Sequence, residues 1–150
     1  MKKCFFVGHR DTNDNIYENL KETIKKHIVE YGVTEFYVGH YGNFDRLATK
    51  AISDLKMQYP YIKLILLLPY HPAENKIDIS DSFDLSYYPD GMENVPRRAA
   101  IVKANRYMID NVDYLIVNVK YSASNTAKLF EYALKKQNVG KLHIYNINNN

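Results

Sequence analysis

The sequence predicts a single α/β domain of Rossmann-like architecture, a three-layer sandwich around a five-stranded, mainly parallel sheet of order 3-2-1-4-5. Three observations carry this. Short apolar runs alternate with helix-periodic segments along the whole chain, and parallel neighbours joined by right-handed helical crossovers are the simplest outcome of that alternation. The run at 62–68, closed by Pro69, is aliphatic at every position but Lys63, as a central strand covered on both faces requires. The chain has 150 residues, 46% of them hydrophobic, enough for one core without disulfides or a structural metal.

Taken in order, residues 3–7 read as a short buried strand, and 11–15 offer turn and capping residues. Ile16, Leu20, Ile24 and Ile28 then recur at a helical spacing until Gly32 stops the helix. A second strand covers 35–38, and a turn at 39–43 opens a helix whose Leu47, Ala48, Ala51, Ile52 and Leu55 share one face. After the third strand, 69–95 shows no sustained periodicity and carries Pro69, Pro72, Pro89 and Gly91, which predicts a long loop with room for one short helix. Helix resumes from about Pro96 to about Asp110, and 114–119 supplies a fourth strand. A last helix places Ala127, Phe130, Ala133 and Leu134 on one face, 141–145 is the fifth strand, and 146–150 reads as a polar tail.

Several function classes are excluded by composition. The single cysteine, Cys4, cannot form an internal bridge and lies in an apolar run, as a core residue of a protein in a reducing compartment would. No run approaches the roughly 18 apolar residues a membrane span needs, and the apolar stretch behind Met1-Lys2-Lys3 is too short for a signal peptide. A soluble, cytoplasmic protein is expected, without a membrane partner. The net charge of +3 suits an anionic ligand but falls short of the clustered basic face that nucleic acid requires. The five histidines show no metal-ligand spacing, and neither a metal nor a cofactor is expected.

In an open sheet of this order, ligands bind in the crevice at the carboxyl ends of the strands flanking the switch point, where Gly8-His9-Arg10 and residues 118–125 fall. Gly8 lets a ligand approach closely, while His9 and Arg10 are donors for phosphate or ribose oxygens. In the competing structural role, His9 caps the strand end and Arg10 pairs with Asp11 or Asp14. The second glycine-bearing turn, Gly39-His40-Tyr41-Gly42-Asn43-Phe44-Asp45, has backbone amides suited to an anion and an aromatic, Tyr41, suited to a base. Alternatively Asn43 caps the helix and Asp45 complements its dipole. Residues 96–106 carry four bases and no acid, so that Arg98 and Arg106 can face one anion, with Asn105 and Arg106 the better candidates for the crevice. Ser122, Ser124, Asn125 and Thr126 open the last helix, a terminus that receives phosphate, although capping needs only one of them. Glu131 invites a role as nucleophile or base in N-glycosidic cleavage, yet it stands four residues before Lys135, as in a surface ion pair.

Cys4-Phe5-Phe6-Val7-Gly8-His9-Arg10, the 39–48 segment, the 96–110 helix and Glu131-Tyr132-Ala133 together resemble the YpsA-like branch of the SLOG superfamily over almost the whole chain. That superfamily includes the Lonely-Guy phosphoribohydrolases, the DNA-processing protein A fold and domains thought to sense nucleotide-derived ligands. The resemblance implies a pocket for a nucleotide or nucleotide sugar, formed by Gly8, His9, Arg10, Gly39, Gly42, Asp45, Asn105, Arg106, Asn125 and Thr126. Gly39-His40 stands where relatives show paired glycines. Leu129 stands where the P-G-G-x-G-T-x-x-E signature of the Lonely-Guy enzymes has its glutamate, and Glu131 lies about 200° further round the helix. The expected function is therefore binding of an ADP-ribose-like molecule by a non-catalytic sensor. The alternatives are an N-ribohydrolase or deoxyribosyltransferase-like enzyme using Glu131 or Asp45, and a single-stranded nucleic-acid binder. A homo-oligomer is compatible with all three.

Overall fold

Strands β1 (Lys2–Gly8), β2 (Val33–Val38), β3 (Lys63–Leu67), β4 (Leu85–Tyr87), β5 (Tyr114–Asn118) and β6 (His143–Asn146) form one sheet in the order β4-β3-β2-β1-β5-β6. Every pairing in it is parallel. The structure, a computed structural model, describes residues 1–120 and 124–149, the last of these by its backbone alone. Helices α1 (Tyr17–Val29) and α2 (Asn43–Lys56) cover one face, and α3 (Ala100–Asn111) and α4 (Asn125–Asn138) the other.

The central strand shows why two cores form. Successive side chains of a strand point to opposite faces. Cys4 and Phe6 of β1 thus join Leu20, Ile24, Ala48 and Ile52, while Phe5 and Val7 join Ala104, Met108, Leu115 and Ala133. Cys4 is fully buried, and burial raises its thiol pKa well above the ordinary value, so it is a packing residue. The chain lays α1 and α2 on one side of β1 and then crosses to the other at β5, which places the switch point between β1 and β5.

The predicted strands and their order are present, with four differences elsewhere. A sixth strand, β4, lies inside the 69–95 segment that reads as loop. It is only three residues long, sits at the sheet edge, and is pinned by Leu68 N–H donating to Tyr87 O (2.8 Å) and Asp84 N–H to Leu64 O (2.8 Å). The α-helix expected from Pro96 begins only at Ala100, after a 3₁₀ turn at Arg97–Ala99. The polar tail folds back as a 3₁₀ turn, Ile147–Asn149. Ile147 is 3% exposed within the α1/α2 core, and the Asn148 side chain donates to Asn118 Oδ1. On α4 the buried stripe is Ala127, Leu129 and Ala133, whereas Phe130 and Leu134 are half-buried. Among the described residues, no helix is long and apolar enough to cross a membrane.

Candidate functional site

An open cleft of about 140 Å³ lies at the carboxyl ends of β1, β2 and β3, between the start of α2 and the opposing α3 and α4. Gly8 and Arg10 reach it from the β1 end, Gly39, Tyr41 and Asp45 from the β2–α2 turn, Asn105 from α3, and Asn125, Thr126 and Leu129 from α4. Leu67, Pro69 and Ile101 give it an apolar wall.

The two turns that carry the polar groups are locked together. Asn43 N–H donates to Arg10 O (2.9 Å), and the Asn43 side chain donates to Thr12 O (2.5 Å) and Asp14 Oδ1 (2.6 Å). Asn43 is therefore a strut between loops rather than a cap; the cap position is Gly42, at φ +129°, which ordinary side chains rarely adopt. A Cβ at Gly42 would stand 2.6 Å from Arg10 Cα, so the glycine also lets the two backbones touch. Asp14 pairs with Arg46 (2.9 Å) instead of Arg10. Among the described residues no carboxylate oxygen lies within 4.0 Å of the Arg10 guanidinium, which is left exposed at the cleft.

Asp45 is the only carboxylate among the described residues that line this cleft. Its Oδ2 accepts from Tyr41 N–H (3.1 Å) and would be 2.8 Å from a Cβ at Gly39, so the glycine there makes room for the acid. Burial pushes the Asp45 pKa up to about 6, opposed by the Tyr41 amide and the Arg10 charge. Gly8 has a similar steric reason: a Cβ there would stand 2.2 Å from the Phe44 ring, so the residue is already required by packing.

Other expected residues are placed elsewhere. His9 and Arg10 diverge: His9 is 5% exposed and faces a separate small cavity lined with Thr12, Asn118 and Lys120. Its Nε2 accepts from Lys120 N–H (2.8 Å), and burial lowers its pKa, with Asp11 opposing and Lys120 reinforcing the shift. Asn118, equally buried, donates to Thr12 Oγ1 (2.9 Å), which itself donates to His9 O (2.7 Å); this network joins strand ends rather than serving the cleft. Arg106 stands on the exposed side of α3 over the Tyr132 ring (5.1 Å), outside the cleft that Asn105 lines. Arg98 is exposed and does not line it either. Glu131 is exposed on α4 away from the cleft, whereas Leu129 lines it. On α4, Ser124 Oγ caps the helix by accepting from Ala127 N–H (3.0 Å), and Thr126 donates to Gly8 O (3.4 Å). The expected contribution of Ser122 lies outside the described residues.

Sequence reading did not find the apolar wall. The signal was present in α3: Ala100, Ala104 and Met108 are buried at a spacing of four, and Ile101 and Asn105 flank that stripe while Arg106 does not. Among the described residues no three His, Cys, Asp or Glu side chains converge as a metal site.

No family model matches the chain, and no curated protein matches it. Fold and site define a Rossmann-like α/β domain with an open, partly polar cleft at the carboxyl ends of its central strands.

Proposed function

We propose that the cleft binds a nucleotide or nucleotide-sugar derivative and that the domain acts as a sensor or regulatory module of the SLOG type. The observation that carries this reading is Arg10, a guanidinium at the cleft with no carboxylate oxygen of the described residues within 4.0 Å, in a lining it shares with Asp45, Asn105, Asn125 and Thr126. A guanidinium recognises phosphate, and a carboxyl with nearby amides recognises sugar hydroxyls. The open cleft suits a ribose phosphate, with the rest of the ligand extending outward.

A thermal-shift and calorimetry panel of AMP, ADP-ribose, NAD, cyclic nucleotides and ribose 5-phosphate tests the reading. At least one is expected to bind, with affinity falling about tenfold to a hundredfold in Arg10→Ala through loss of a charged hydrogen bond. Absence of any ligand shift, with Arg10→Ala indistinguishable from wild type, would overturn it.

One observation favours a second reading, N-glycosidic cleavage. Asp45 lines the cleft with a pKa near that of a working acid–base group, whereas Glu131 is outside it. Release of free base on prolonged incubation, abolished by Asp45→Asn, would promote the enzyme over the sensor.

A further inference from the structure

Beside the cleft, and sharing Pro69 with it, is a second cavity of about 200 Å³ formed under the 69–97 segment. Tyr70, His71 and Tyr88 give it aromatic walls, and Glu74, Glu93 and Arg97 its charges. His71 and Tyr88 meet edge to face (5.4 Å, 83°), so the ring contributing its edge keeps both faces clear of its partner. Tyr88, Glu74 and Glu93 line the same cavity, and the charges of Glu93 and Glu74 add to the burial that raises the Tyr88 pKa. Arg97 lies over the Tyr70 ring at 4.5 Å. Arg10 lines the cleft and Arg97 the second cavity, so each of the two adjoining spaces carries a guanidinium.

We infer that this second cavity is the base subsite of the ligand proposed for the cleft, that it takes a base whose edge donates hydrogen bonds (adenine, guanine or cytosine) in preference to uracil, and that Arg10 and Arg97 flank the phosphates between. The inference rests on the proposed nucleotide-derivative reading. Its chemistry is direct. Planar bases stack on aromatic rings, and exocyclic amines donate to carboxylates. The only edge donor of uracil is flanked by two carbonyl oxygens, which a carboxylate repels. Two arginines at separate positions suit a diphosphate better than a single phosphate.

The test is calorimetry of the full chain with ADP, GDP, CDP, UDP and ribose 5-phosphate, in wild type, Tyr88→Ala and the double variant Glu74→Gln/Glu93→Gln. Both glutamates are exposed, so their amide variants keep the fold. Wild type is expected to bind the three amino-bearing diphosphates about tenfold or more tighter than UDP. The double variant should bring UDP level with them and leave ribose 5-phosphate unchanged. Tyr88→Ala should weaken every diphosphate about tenfold. UDP binding as tightly as the others in wild type, or a preference that survives the double variant, overturns the inference. Ribose 5-phosphate binding with no gain from any base overturns it too, while the reading of the cleft stands. If neither ribose 5-phosphate nor any diphosphate binds, the reading of the cleft itself fails and takes this inference with it.

Discussion

The Cα of Arg10 occupies the space that a side chain at Gly42 would enter, so the backbone carrying the cation and the backbone opening α2 form one unit. Gly42→Ala introduces both a clash and a strained φ of +129°. It is expected to cost about 1–3 kcal/mol of stability. Because Arg10 must move, ligand affinity should fall along with it. Urea unfolding and calorimetry on the same variant check the pair, and an affinity loss without a stability loss would contradict the coupling.

Asp45 makes stability depend on pH in an unusual direction. Its folded pKa, about 6, lies above the unfolded carboxylate value, so its contribution is fully present below about pH 4 and is lost as pH rises through 6. The charged form at pH 8 therefore costs the fold on the order of 2–3 kcal/mol. Asp45→Asn should raise the melting temperature by several degrees at pH 8 and leave it nearly unchanged at pH 4. Thermal unfolding at the two pH values decides; an equal shift at both would show that ionisation is not the cause.

His9 and His27 act with the opposite sign. Burial lowers both pKa values, so the stability they confer is present above the unfolded value near 6.5 and is lost as pH falls from there through the lower folded values. His27 Nδ1 is 2.7 Å from Thr23 O inside α1, and burial outweighs that contact. In the Asp45→Asn background, where the opposing carboxyl is gone, the urea midpoint should drop steadily from pH 7 to pH 5. His27→Phe should flatten the drop, and an unchanged slope would exclude His27 as its source.

Ile147 predicts a structural role for the last residues. It is 3% exposed, so Ile147→Ala is expected to cost about 2–4 kcal/mol, against within about 0.5 kcal/mol for an exposed position. Chemical unfolding measures it, and a loss below about 0.5 kcal/mol would mean the tail is not packed as described.

How much of this was legible beforehand depended on burial. The inner strands read clearly because coverage on both faces demands aliphatic runs such as 64–68. β4 did not, since three residues at an edge, with Leu85 58% exposed, carry no periodic pattern. Ile147 is one apolar residue among asparagines, and only its return to the core gives it meaning. The corner after β1 divides: adjacent residues leave a strand end on different sides, and nothing local tells that His9 turns inward while Arg10 faces the cleft. Asp45 could be placed near the site from its turn. Its distinction from Glu131 required the phase of α4, which puts Leu129 at the cleft and the glutamate outside.

Gly39 and Asp45 share one small volume, 2.8 Å from a Cβ on the one to a carboxylate oxygen on the other. The two positions are therefore tied in evolutionary drift: a chain that acquires a larger residue at 39 must shorten or redirect the one at 45. Among future homologues this predicts covariation between them, and with it a division into lineages that keep an acid in the cleft and lineages that have exchanged it for bulk.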